Sequence, residues 1–114
     1  MDVEIKFNEK VVSKGRLSSS FFSQLNGLMF YKKLGRGKCL ILDRGYESRI
    51  DSGVHMLFVF FPLDVVFLNA KKEVVDVREA FPFKSLITPK KKAKYIIEMN
   101  KGENVLKIGD KVSF

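Results

Sequence analysis

Residues 54–68 read VHMLFVFFPLDVVFL, from Val54 to Leu68, and the way this stretch folds decides the rest of the chain. It holds the densest apolar surface, the only histidine (His55), and one acid, Asp64, set between Leu63 and Val65. A continuous apolar run bounded by polar turns reads as strand that is covered on both faces. Pro62 cannot donate a ladder hydrogen bond, so a single straight strand is not expected. Two short strands, about 56–60 and 64–68, joined at a kink or bulge fit the run better. It is also broken by Pro62 and Asp64 and falls short of the ~20 residues a membrane-spanning helix needs. The run is therefore expected to be core, in a protein with no membrane span.

Upstream, Val3, Ile5 and Phe7 alternate with Asp2, Glu4 and Lys6, the period of a half-buried strand. A polar turn at Asn8–Lys10 and an extended restart at Val11 make residues 2–16 a hairpin. Ser18, Ser19 and Ser20 offer N-cap oxygens, and Phe21, Phe22, Leu25, Leu28 and Met29 fall on one helical face. This predicts one helix near residues 19–31, with Gly35 and Gly37 as stop and turn signals. Cys39–Asp43 reads as a short strand followed by a polar loop, DRGYESRIDSG.

Downstream of the apolar run, Glu73–Arg78 and Lys94–Met99 read as strands, with a helical turn expected over 103–107 and a last turn at Ile108–Asp110. Short strands at close spacing with a single helix predict a mostly β domain over residues 1–114. The architecture expected is a β-sandwich or partly open barrel of mainly antiparallel strands.

A chain of 114 residues, 46% apolar with eleven Phe, can build a core without disulfides or metal. The single Cys39 has no disulfide partner within the chain, which suits a reducing compartment. The N-terminus lacks an apolar signal region, so a cytoplasmic location is expected. A net charge of +8 fits either nucleic-acid binding or a solubilising surface. Composition does not separate the two.

Asp64 is the first candidate for chemistry, because a carboxylate among apolar residues is costly unless hydrogen-bonded. It either accepts backbone N–H groups freed by the break at Pro62, or serves as a pocket base or ligand anchor. His55 enters the same segment and could shuttle protons, bind an anion, or simply donate one hydrogen bond and pack. Together His55, Pro62 and Asp64 mark the candidate ligand-binding pocket. Lys90, Lys91, Lys92 and Lys94 with Tyr95 form a second candidate, a phosphate-tracking stripe with a stacking ring, although no nucleic-acid motif accompanies it. No metal site and no cofactor are expected, since one His and one Cys give no zinc-like cluster. Cys39, alternating with apolar residues, reads as a small buried hydrophobe rather than a nucleophile.

The segment Gly53-Val54-His55 through Phe61-Pro62-Leu63-Asp64-Val65-Val66-Phe67-Leu68, with Gly27-Leu28-Met29 before it, resembles the domain of unknown function 192 family. His55, Phe58, Phe61, Pro62 and Asp64 match that family's pattern as they stand. Pro82-Phe83, the strand ending Tyr95-Ile96-Ile97-Glu98, and Gly109 to Val112 are similar as well. Met56, Val59 and Phe60 depart from it, standing where the family has Thr, often has Met, and usually has Arg or another polar residue. The resemblance implies a compact, largely β, two-sheet domain and no defined activity. The expectation is a non-enzymatic binding or accessory module with its pocket near His55, Pro62 and Asp64. The alternatives are a small hydrolase or isomerase using Asp64 with His55, and a nucleic-acid binder through a basic face. Substrate, ligand and partner are unknown from sequence.

Overall fold

The structure is a computed structural model that describes residues 2–18, 36–48, 62–81 and 89–114. Six strands are present: β1 (Asp2–Phe7), β2 (Lys10–Ser18), β3 (Lys38–Ser48), β4 (Leu63–Leu68), β5 (Val74–Ala80) and β6 (Ala93–Asn100). They form one sheet in the order β1-β2-β3-β6-β4-β5. Among the described residues there is no helix and no second sheet, so the mostly β class stands while the two-layer arrangement is not among them. The helix expected near residues 19–31 falls outside the described residues, as do His55 and the first of the two strands expected from the apolar run. No helix of the described residues is long and apolar enough to cross a membrane.

The hairpin read from alternation is β1–β2, closed by Asn8 and Glu9, which both take positive φ (51° and 67°). Two successive left-handed residues match the right-handed twist of the flanking strands. Two expectations are corrected. β3 does not stop at Asp43 but runs eleven residues to Ser48, so much of the segment read as a polar loop is strand. Its far end pairs Ser48 with Ala93 of β6 across a register shift, and backbone pairing outweighs the polar composition there. Residues 103–107 form no helical turn; Asn104 brackets Leu106 instead, accepting its N–H at 2.9 Å and donating to its carbonyl at 3.0 Å. The sheet is mainly antiparallel, as expected, with one parallel pair, β2 and β3.

All six residues of β4 are buried, Asp64 among its five apolar neighbours. Val66 and Leu68 face one cluster with Ile5, Ile41, Ile97 and Leu106, while Leu63, Val65 and Phe67 face another with Leu42 and Ile96. At about 1.5–3 kcal/mol for each fully buried large apolar side chain, these two faces are the main stabilising contribution. The C-terminal tail closes the first face. Lys6 and Ser113 exchange backbone hydrogen bonds of 2.9 and 3.0 Å, and Val112 N donates to Lys72 O at 3.0 Å. The tail thereby ties β1 to the start of β5. Lys72 Nζ holds its last residue, donating to Phe114 O at 2.9 Å and lying 4.2 Å from the Phe114 ring centroid.

Candidate functional site

Asp64 sits second in β4, 8% exposed, opposite Met99 of β6. β6 ends at Asn100, and the chain turns at Lys101–Gly102, with Gly102 at φ 89° and Glu103 N donating to Asn100 O at 3.1 Å. The register delivers Asp64 to this turn. Its Oδ2 accepts the Gly102 N–H at 2.9 Å and the Asn104 N–H at 3.1 Å. The amides that reach Asp64 therefore come from the turn after β6, some forty residues on, and not from a break at Pro62. Pro62 stands just before β4, half-buried, where its missing N–H leaves the ladder intact. His55, the third member of the expected pocket, lies outside the described residues.

The opposite face of the same strands holds a residue that sequence reasoning did not single out. Glu98 of β6 is 2% exposed and pairs in register with Val65 on one side and Leu40 on the other. Its face carries Leu42, Leu63, Phe67 and Ile96. Among the described residues, Glu98 Oε1 has no hydrogen-bond partner. Burial away from water pushes its carboxyl up to about 8, so it is largely protonated at neutral pH. The signal was present in AKYIIEMN, an acid enclosed by apolar residues just as Asp64 is, but only tertiary burial separates a carboxyl that is satisfied from one that is not.

The contrast with a third buried acid is direct. Asp76 of β5 accepts Val77 N at 2.9 Å and Lys90 N at 3.0 Å, with Arg78 Nη1 at 3.6 Å. Of the three buried carboxyls among the described residues, Asp64 and Asp76 accept main-chain amides, while Glu98 Oε1 has no partner among those residues. Among the described residues no three His, Cys, Asp or Glu side chains gather where a metal ion could be held.

The second candidate group is divided by the fold. Lys90, Lys91 and Lys92 are exposed on the approach to β6. Tyr95 is buried at 8% exposure, its ring edge-on to Phe114 with centroids 5.2 Å apart. Lys94 Nζ donates to Tyr95 Oη at 3.1 Å and lies 4.8 Å from the ring centroid. Cys39 is buried, and desolvation raises its thiol, with a hydrogen bond to Ser13 acting the other way. A shallow groove of about 610 Å³ crosses β1–β3, but its walls alternate in charge, with Asp2 and Glu4 against Lys14, Arg16 and Lys38.

The sequence profile of DUF192, described as Uncharacterized ACR, matches residues 3–114. A UPF0127 protein of Pyrococcus abyssi is 34% identical over 119 residues, covering 100% of this chain and 98% of that protein. A UPF0127 protein of Thermococcus sibiricus is 36% identical over 83 residues, covering 73% of this chain. The chain spans only 52% of that relative's length. A crystal structure of a protein of unknown function from Novosphingobium aromaticivorans superposes with a TM-score of 0.80 at 22% identity, covering 99% of this chain and 85% of that one. At that identity the likeness is one of fold.

Proposed function

The chain belongs to the DUF192 family, and on that premise we propose that it is a small non-enzymatic binding module whose recognition group is the Glu98 carboxyl. One observation carries the reading: a buried carboxyl whose Oε1 has no hydrogen-bond partner among the described residues, where the neighbouring buried acids are satisfied. An unmet polar group of this kind costs about 1–3 kcal/mol, and a ligand that meets it recovers that energy on binding. Held uncharged between Val65 and Leu40, Glu98 can donate a hydrogen bond. The ligand class that suits it has an apolar body and one acceptor oxygen or nitrogen. In this reading Asp64 and Pro62 support the strand that carries Val65. The hydrolase or isomerase alternative asks Asp64 to act as a base, but its Oδ2 already accepts two amides.

The test uses protein labelled with 13C at the glutamate carboxyls and titrated with cyclohexanone, an apolar body bearing one carbonyl. Binding should move the Glu98 resonance, assigned by its loss in Glu98→Gln, and should raise the melting temperature of the wild type but not of Glu98→Leu. A Glu98 resonance that stays put, or equal stabilisation of Glu98→Leu, would refute the assignment.

A further inference from the structure

Glu98 stands at the centre of a cross-strand row. On its face of the sheet the register runs Arg16 of β2, Leu40 of β3, Glu98 of β6, Val65 of β4 and Arg78 of β5. Neighbouring strands lie about 4.8 Å apart, so each arginine starts roughly 10 Å from Glu98 with an aliphatic side chain between. Neither makes an ion pair with it. Arg78 Nη1 lies 3.6 Å from Asp76 Oδ2 on the same face, and Arg16 is exposed. The other charged groups of this face stand further off. Lys14 pairs with Glu4 at 3.7 Å, and Lys94 Nζ donates to Tyr95 Oη. On β3, Lys38 and Arg44 lie to either side of Leu40 and Leu42, and β4 contributes only Leu63, Val65 and Phe67 to the face. Burial is the whole cause of the raised Glu98 value, with no charged group beside it. Among the described residues, then, an acid is built into an apolar face and given no cation.

Taking Glu98 as the recognition group of the preceding section, we propose that its ligand is an apolar amine, held as an ammonium–carboxylate pair. An acceptor oxygen takes one hydrogen bond from the protonated carboxyl and leaves the proton in place. An amine with a value near lysine's, about 10.4, is the stronger base, so nitrogen holds the proton and Glu98 is bound as a carboxylate. The resulting charge-assisted bond is roughly twice as strong as a neutral one. The ammonium also brings N–H donors to Oε1, which has none among the described residues. The surrounding face sets the rest of the ligand. Leu40, Leu42, Leu63, Val65 and Phe67 match an apolar body, whereas a bare, strongly hydrated cation would lose its water there with nothing to replace it. At neutral pH the free amine is already an ammonium ion and Glu98 carries a proton. Each binding event therefore releases that carboxyl proton to solvent.

The test is titration calorimetry with cyclohexylamine at neutral pH in two buffers of different ionisation heat, beside cyclohexanone and methylamine. Cyclohexylamine should bind about tenfold or more tightly than either, with about one proton released per molecule bound. Its affinity should rise about tenfold per pH unit between about pH 6 and 8, because Glu98 must ionise to pair, and the ketone should show no such rise. Glu98→Gln keeps the side-chain shape and should weaken the amine about tenfold or more while abolishing the proton release. Cyclohexylamine no tighter than cyclohexanone, binding without proton release, or equal amine affinity in Glu98→Gln would each overturn the amine assignment. A Glu98 carboxyl resonance that the ketone still moves would in those cases leave the recognition role standing. A resonance that neither ligand moves would overturn both.

Discussion

The carbonyl oxygen and Sγ of Cys39 occupy the space that a β-carbon on Gly15 would fill. These two residues are register partners in the parallel β2–β3 pair, so the strands meet over a hydrogen atom where every other L residue would place a methyl group. The clash is partly with backbone, which cannot rotate away. Gly15→Ala should therefore destabilise the protein by about 1–3 kcal/mol, read as a lower urea midpoint at unchanged slope. A midpoint equal to wild type would mean that the two strands separate at little cost.

Asp64 exerts its effect through the turn it holds. Asp64→Ala removes the acceptor for two amides and should cost about 2–4 kcal/mol. Hydrogen exchange locates the loss: the Gly102 and Asn104 amides should lose protection first, and Leu106 should follow because Asn104 fixes its backbone. Unchanged protection at both amides would remove Asp64 from this role.

Glu98 gives the protein a pH dependence of defined sign. Its folded-state value of about 8 lies above the ordinary 4.5, so between these values the folded chain holds a proton that the unfolded chain has released. Stability should then fall as pH rises through that window, on the order of 1 kcal/mol per unit, and level off above it. Glu98→Gln should flatten the slope and raise the melting temperature at pH 8 relative to wild type. Parallel wild-type and variant curves would show that Glu98 titrates normally.

The β1–β2 turn carries a strain that a substitution relieves. Glu9 sits at φ 67°, a region where a β-carbon is disfavoured and glycine is not. Glu9→Gly should leave stability unchanged or raise it, by up to about 1 kcal/mol, the gain in conformational fit exceeding the added freedom of the unfolded chain. A clear loss by thermal melting would mean that the Glu9 side chain contributes more than its backbone costs.

The strands of this sheet were legible wherever side-chain period and turn chemistry agreed. Val3, Ile5 and Phe7 marked β1, Pro62 marked where β4 starts, and Asn8 marked the hairpin, because each signal is local and backed by sterics. β3 was read short because Arg44 to Ser48 looks like loop by composition, and only pairing with β6 makes it strand. The helical turn at 103–107 failed for a local reason: the Asn104 side chain pairs with both the N–H and the carbonyl of Leu106, an alternative to helical backbone bonding. Tyr95 looked like a stacking ring beside lysines until Phe114, nineteen residues on, packed against it.

The amino-acid sequence by itself determined a β-rich chain with two acids embedded in apolar strands, since hydrophobic period and composition are properties of neighbours in the chain. Tertiary structure alone decided what each acid does. Asp64 and Glu98 lie in similar sequence surroundings, yet register places Asp64 against the Gly102–Asn104 turn and Glu98 between Val65 and Leu40. The physical reason is that a carboxyl's charge state and role depend on the donors within about 3 Å of its oxygens, and those donors come from residues far along the chain.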